Sequence, residues 1–260
     1  MTPIQAAVLG TVQGLTEFLP ISSSGHLVLF EQFFGIQSTS LHFEVVVHVA
    51  TLFAVLIFFF KDLNKLKFKD LAVLGIGTIP AVLVGLFLKD QVEAAFSSIT
   101  EVAIEFFITG VILFIAQREL NKREENPKHH SLGSTSPLHG LIIGIAQAIA
   151  IFPAISRSGS TVATALKLHI SREEAFRFSF LLSIPAILGA SVLTLIDITK
   201  EGIPTNESVV NYLIGGIFAF IFGVMSLLWF KRVMQKAQLH YFGYYCCALS
   251  VLLLTYQFLR

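Results

Sequence analysis

Two short stretches of this chain carry the residue types that could do chemistry, and they are variants of one another. The first reads Gln13-Gly-Leu-Thr-Glu17-Phe-Leu-Pro20-Ile-Ser22-Ser23-Ser24-Gly25-His26, and the second Gln147-Ala-Ile-Ala-Ile151-Phe-Pro153-Ala-Ile-Ser156-Arg157-Ser158-Gly159-Ser160-Thr161. On a helix Gln13 and Glu17 are i and i+4, so they share a face. Hydroxyls and glycine at a helix N-terminus leave free amides and the positive end of the dipole aimed at one spot. Ser22, Ser23, Ser24 and Gly25 form one such cluster, and Ser156, Ser158, Gly159, Ser160 and Thr161 the other. If the two meet, they make a cradle for an anion. Arg157 adds a planar donor fork that suits phosphate or carboxylate. Phosphoryl transfer needs a nucleophile or water, an acid/base group and charge stabilisers. Ser23 or His26, Glu17 and Arg157 can fill those roles. The attacking group stays open: Ser23 with His26 or Glu17 as base, His26 itself, or a metal-activated water with Glu17 as base. One Ser/Gly cluster alone would read as an ordinary cap, and one histidine as a core residue. Both clusters together with Arg157 point to a site.

The likeness of the two stretches extends upstream. Aligned without gaps, Pro3 to Gly25 matches Pro137 to Gly159 at eight of 23 positions. Chance would give roughly two in so apolar a chain. The chain is therefore read as a duplication with a polar loop in each half, and a site is expected where the halves meet.

The elements that position these loops belong to a membrane. The chain of 260 residues is 54% hydrophobic and 13% charged, against about 25% charged in a soluble domain; its mean hydropathy is +0.76. Six apolar stretches, about 43–60, 71–88, 98–117, 176–196, 209–230 and 240–259, approach the roughly 20 residues a spanning helix needs. Residues 3–36 and 137–168 are also apolar but are broken midway by the serine clusters. Each is read as a re-entrant helix–loop–helix, with Pro3 and Pro137 in first turns. Broken backbone at membrane depth is tolerated only where protein or water covers it. Glu17 lies about 21 Å along the helix from Pro3, and a carboxylate at that depth is expected to be functional.

The fold class expected is an all-α integral membrane protein of two inverted-topology repeats. Each repeat is a re-entrant helix–loop–helix plus three transmembrane helices. Residues 1–117 form the first, 118–136 a cytoplasmic linker and 137–260 the second. Three spans per repeat are an odd number, so the second repeat enters from the opposite side. Fourteen Lys and Arg fall in the loops of one side, three (Lys89, Lys200, Arg260) on the other, and Arg157 within the second polar loop. That asymmetry puts both termini and the entry of the first re-entrant pair outside. Pro80 and Pro185 are expected to kink their spans. Glu44 and His48, i and i+4 on the first span, fit either a supporting role at the site or helix packing. A net charge of +1 and the lack of a basic patch argue against nucleic acid. Cys246 and Cys247 are neighbours on one span, point apart and do not form a disulfide. The N-terminus lacks the basic start of a cleavable signal.

At these residues the chain resembles the undecaprenyl-diphosphate phosphatase family, the bacitracin-resistance type of membrane phosphatase. Gln13 to His26 is similar to its (Glu/Gln)-x-x-x-Glu motif followed by Ser-Ser-x-Gly-His. Pro153 to Thr161 is similar to its Pro-Gly-x-Ser-Arg-Ser-x-x-Thr motif. Two departures stand out. Gln13 leaves Glu17 as the lone carboxylate of the first motif, and Ala154 replaces the usual glycine. The resemblance implies hydrolysis of undecaprenyl diphosphate to undecaprenyl phosphate and phosphate at a site open to the periplasmic or extracellular side of the bacterial inner membrane. It also implies a divalent cation, Mg2+ or Ca2+, with Glu17 as a ligand. The reaction would recycle the lipid carrier of cell-wall synthesis and remove the target of bacitracin. Partners are then a polyprenyl diphosphate and membrane lipids, with a homodimer left open. The competing reading is a secondary transporter or lipid-carrier flippase, since inverted repeats and half-helices are also transporter architecture.

Overall fold

A computed structural model of the protein describes residues 1–36, 41–96, 98–124, 136–201 and 208–259. Their regular structure is helical throughout. Helix α1 (Pro3–Phe18) and α2 (Ser23–Phe33) are followed by α3 (Leu41–Phe58), a single turn α4 (Phe60–Leu63), α5 (Phe68–Phe87), a short α6 (Lys89–Phe96) and α7 (Ile99–Glu124). The second half holds α8 (Pro137–Ile149), α9 (Arg157–Lys167), α10 (Arg172–Glu201), α11 (Val209–Gln235) and α12 (His240–Leu259).

Five of these, α5, α7, α10, α11 and α12, are long and apolar enough to cross a membrane. The protein is a multi-pass membrane protein. Its surface is inverted relative to a soluble domain: Phe68, Phe87, Leu213, Leu252 and Phe258 are exposed, as lipid-facing side chains are. The sixth expected span is α3. Its 18 residues reach about 27 Å, slightly short of a hydrocarbon core of about 30 Å. Two helix ends overshoot the apolar stretches. Helix α7 continues through Arg118 to Glu124, with Lys122 paired to Glu119 at 2.8 Å. Helix α10 begins at Arg172, and Arg177 reaches Asp62 on α4 at 3.0 Å. The linker expected over 118–136 falls largely outside the described residues.

The two serine-rich segments are each a pair of helices around a break. Thr2 caps α1 in a reciprocal arrangement with Gln5, and Ser136 caps α8; a proline follows in the first turn of each. The first break covers residues 19–22 and the second 150–156. Ser22 caps α2 and Ser156 caps α9, each accepting from the glycine amide three residues on. Helices α5 and α10 run unbroken through Pro80 and Pro185.

Close helix contacts set these breaks in place. Helix α1 packs on α11 and α8 packs on α5. A Cβ at Gly10 would collide with the Gly215 carbonyl, and one at Gly144 with the Gly77 carbonyl. Gly10-x-x-x-Gly14 and Gly140-x-x-x-Gly144 are the small-residue spacing that lets backbones approach. Phe18, at the end of α1, is fully buried against Phe180 at 5.6 Å between ring centroids. Phe59, Phe176 and Phe230 complete an edge-and-stack cluster around Phe180. That cluster fixes the helix end that carries Glu17.

Candidate active site

The two breaks meet. Ser22 and Ser24 both donate to the Pro153 carbonyl at 2.5 Å. Ser158 donates to the Leu19 carbonyl at 3.3 Å. The first loop is thus clasped to the second by hydroxyls on both. Ser22 takes a φ of 67°, a left-handed conformation that costs a non-glycine residue about 1–3 kcal/mol and occurs where surroundings hold it. Its side chain is held by Pro153 and its carbonyl accepts from His26 Nδ1 at 2.6 Å.

Glu17 sits at the centre, 9% exposed. Its Oε1 accepts from Arg157 Nη2 at 2.5 Å. Its Oε2 accepts from the Ser23 hydroxyl at 2.6 Å and from Gln13 Nε2 at 3.0 Å. A carboxylate within hydrogen-bond reach of a loop serine is the geometry of a base and its nucleophile. Arg157 comes from the other half of the chain and supplies the counter-charge a buried carboxylate requires.

Glu17, Ser23 and Arg157 line a cavity of about 720 Å³, and Gln13 lies outside its lining. Glu17, Ser22, Ser23, Ser24, Gln147, Ser156 and Arg157 form its polar part, joined by Glu44 and His48 of α3. Its remaining wall is mostly apolar, Ser191 and Thr194 apart, and lies between α5 (Ala81, Val82, Gly85, Leu86) and α10 (Pro185 to Thr194). A charged floor opening into an apolar cleft suits a lipid with a charged head.

Other expected residues lie off the cavity. Thr161 donates to the Arg157 carbonyl and bonds Ser179 at 2.6 Å. Ser160 is buried with an unpartnered hydroxyl. Gly25 packs against Phe106 and Ala154, and Gly159 against Ser156. Gly25 and Gly159 let the loops pack closely, and Thr161 ties α9 to α10. His26 is not among the cavity-lining residues. Its Nε2 bonds the Tyr245 hydroxyl at 2.7 Å, and its ring stacks on Tyr245 and stands edge-on to Phe106. A backbone carbonyl can only accept, so Nδ1 carries the proton toward Ser22 and a neutral ring has Nε2 as acceptor.

Two polar residues of α7 that the sequence reading passed over hold the second loop. Glu105 Oε2 accepts from the Ala154 amide at 2.8 Å. Thr109 donates to the Ala154 carbonyl at 2.8 Å and accepts from the Ser156 amide at 3.0 Å. Their signal was present: an i, i+4 polar pair inside an apolar span is expensive unless it has work at depth. Tyr245 offered no such signal.

The family model described as bacitracin resistance protein BacA matches residues 6–252. The chain belongs to the BacA family. An undecaprenyl-diphosphatase of Carboxydothermus hydrogenoformans is 40% identical over 99% of this chain and 98% of its own length. Undecaprenyl-diphosphatase 4 of Bacillus thuringiensis subsp. konkukian is 40% identical with the same coverage. Undecaprenyl-diphosphatase 3 of Bacillus cereus is 39% identical over the whole chain and 99% of its own length.

Proposed function

We propose that the protein is an integral membrane phosphatase that hydrolyses undecaprenyl diphosphate to undecaprenyl phosphate and phosphate, regenerating the carrier for cell-wall synthesis and withdrawing the target of bacitracin. Membership of the BacA family and the names of its relatives support the activity. The observation that carries the mechanism is the contact chain Ser23–Glu17–Arg157, which joins both loops at the polar end of a cleft that is otherwise mostly apolar.

In this reading the diphosphate lies against the loops and the prenyl chain leaves between α5 and α10. Ser23 Oγ attacks the terminal phosphorus while its proton passes to Glu17. The bond from that phosphorus to the bridging oxygen breaks, and the electron pair leaves with undecaprenyl phosphate, which takes the proton from Glu17. The restored carboxylate then removes a proton from water, whose oxygen attacks the phosphoserine. Phosphate departs and Ser23 regains its proton from Glu17. Arg157 stabilises the charge on the equatorial oxygens throughout. His26 acts through Ser22, holding the turn that presents Ser23. This assigns His26 to positioning.

Among the described residues no three His, Cys, Asp or Glu side chains cluster as a metal site. The site still fits a hard cation that takes part of its shell from the substrate, because the Glu17 carboxylate lines the cavity. Mg2+ is typically held by one or two carboxylates together with substrate phosphates and waters, whereas Ca2+ takes more oxygen ligands, about six to eight. Glu17 would hold the cation, since Gln13 is not among the cavity-lining residues, and when bound it would neutralise charge on the diphosphate.

The site is proposed to face outward from the inner membrane. The helix segments that line the cavity in α3, α5 and α10 are the ends that the basic-residue asymmetry puts outside. The inverted-repeat plan is retained on the exchanged packing of α1 on α11 and α8 on α5.

The test is phosphate release from undecaprenyl diphosphate by purified protein, with and without a chelator. Release that depends on Ser23 and falls with chelation is expected. No release by the intact protein supplied with Mg2+ or Ca2+ would refute the reading.

A further inference from the structure

Gln147 is the repeat counterpart of Gln13, and the two have opposite surroundings. Gln13 donates to Glu17, one turn further along its helix. One turn beyond Gln147 stands Ile151, which lines the same cavity and offers no acceptor. Gln147 is 2% exposed, and neither its Nε2 nor its Oε1 has a hydrogen-bond partner in the structure. A buried amide left unpaired costs about 1–3 kcal/mol, and native proteins seldom leave one without a reason. Gln147 lies on the cavity wall with Arg157, whose Nη1 is likewise buried and unpartnered. Two residues of one repeat with orphaned donors therefore line the same cavity, while in the other repeat Gln13 and Ser23 donate to Glu17 and Ser22 and Ser24 to Pro153.

We infer that Gln147 is a substrate-contacting residue, its Nε2 donating to a non-bridging oxygen of the diphosphate alongside the free arm of Arg157. The duplication has thus been divided between two tasks. The first copy keeps its glutamine on the carboxylate that handles protons. The second has lost that carboxylate and turns its glutamine to the anion. The amide is suited to this because it donates without adding a charge that would compete with Arg157. Its Oε1, also without a partner in the structure, would be satisfied by a water that accompanies the diphosphate. The inference rests on the phosphatase reading for the identity of the substrate, but the contact itself is to a diphosphate of any origin.

Gln147→Leu removes the amide with little change in shape. In purified protein it should raise KM for undecaprenyl diphosphate about tenfold, the worth of one hydrogen bond to a charged group. It should leave kcat within about threefold, because the bond exists in both ground and transition states. The ligand-free variant should melt at or above the wild-type temperature, since an orphaned amide is replaced by apolar surface. A residue that merely packed the fold would melt lower. Gln147→Glu, of the same size, should raise KM further through repulsion. Inorganic diphosphate gives a reading independent of turnover: it should raise the melting temperature of wild type and not of Gln147→Leu. An unchanged KM with equal diphosphate shifts, or a lowered melting temperature with normal KM, overturns the assignment. If wild type hydrolyses nothing yet diphosphate stabilises it and not Gln147→Leu, the contact stands and the phosphatase reading falls.

Discussion

Glu17 and Arg157 come from different halves of the chain, and neither could be buried alone. Their side chains are 6% and 15% exposed, so removing one strands a charge at a cost of about 3–5 kcal/mol. A lysine in place of Arg157 keeps the charge but not the fork, so Arg157→Lys separates catalysis from burial. It should lose about 100-fold in kcat/KM, in the range of a removed oxyanion donor; near-normal turnover would remove Arg157 from the transition state. Ser23 is tested under single turnover. Ser23→Ala should abolish the chemical step while substrate binding survives, and retention of a tenth of the rate would exclude serine attack. That Ser23 lines the cavity and His26 does not was not legible in the sequence, where they stand three residues apart in one motif. Their separation depends on Tyr245, 219 residues from His26, and no local pattern announces so distant a partner. Tyr245→Phe removes one bond from His26 without touching the cavity. It should lower the melting temperature by about 2–4 °C and leave kcat within about threefold. A collapse of kcat at an unchanged melting temperature would return His26 to the chemistry.

At the scale of elements, the helices that carry the two halves of the site are seated by close backbone contact. Helix α1 reaches Glu17 only if Gly10 lies on Gly215, and α8 reaches Gln147 only if Gly144 lies on Gly77. Gly10→Val should therefore force α1 away from α11 at about 1–3 kcal/mol, the usual penalty of overpacking, and depress activity along with thermal stability in detergent. Gly75→Ala is the matched control, because nothing lies within 4 Å of a Cβ there and alanine is the better helix former by about 1 kcal/mol. Equal melting temperatures for wild type and Gly10→Val would mean that this contact does not position α1. The broken helices themselves were legible, because serine, glycine and arginine in so apolar a chain are hard to place anywhere else. Their partners were not: a glycine on a spanning helix says that something comes near, without saying which helix. The single turn α4 and the eight-residue α6 were missed because segments so short carry no periodicity. The ends of α7 and α10 ran past the apolar stretches because a helix does not stop where the membrane does; charged residues continue it into water.

Across the whole molecule, the direction in which the cavity opens decides which pool of diphosphate the protein can draw on. An outward site follows from 14 basic residues in the loops and helix ends assigned to one side against three on the other, a bias that fixes orientation in short-loop membrane proteins. Two described, exposed positions test it from opposite faces. Asp90 lies on α6, in the loop assigned outside, and Asn121 on the extension of α7, in the loop assigned inside. The native thiols are first removed by replacing Cys246 and Cys247 with alanine, which is compatible with their free state. In that background Asp90→Cys should react with a membrane-impermeant maleimide added to intact cells, provided an outer membrane, where present, has been made permeable. Asn121→Cys should react only after the inner membrane is opened. The reverse pattern would turn the molecule over, put the cleft between α5 and α10 on the cytoplasmic side, and leave the protein to act on newly made diphosphate in place of carrier returning from wall synthesis.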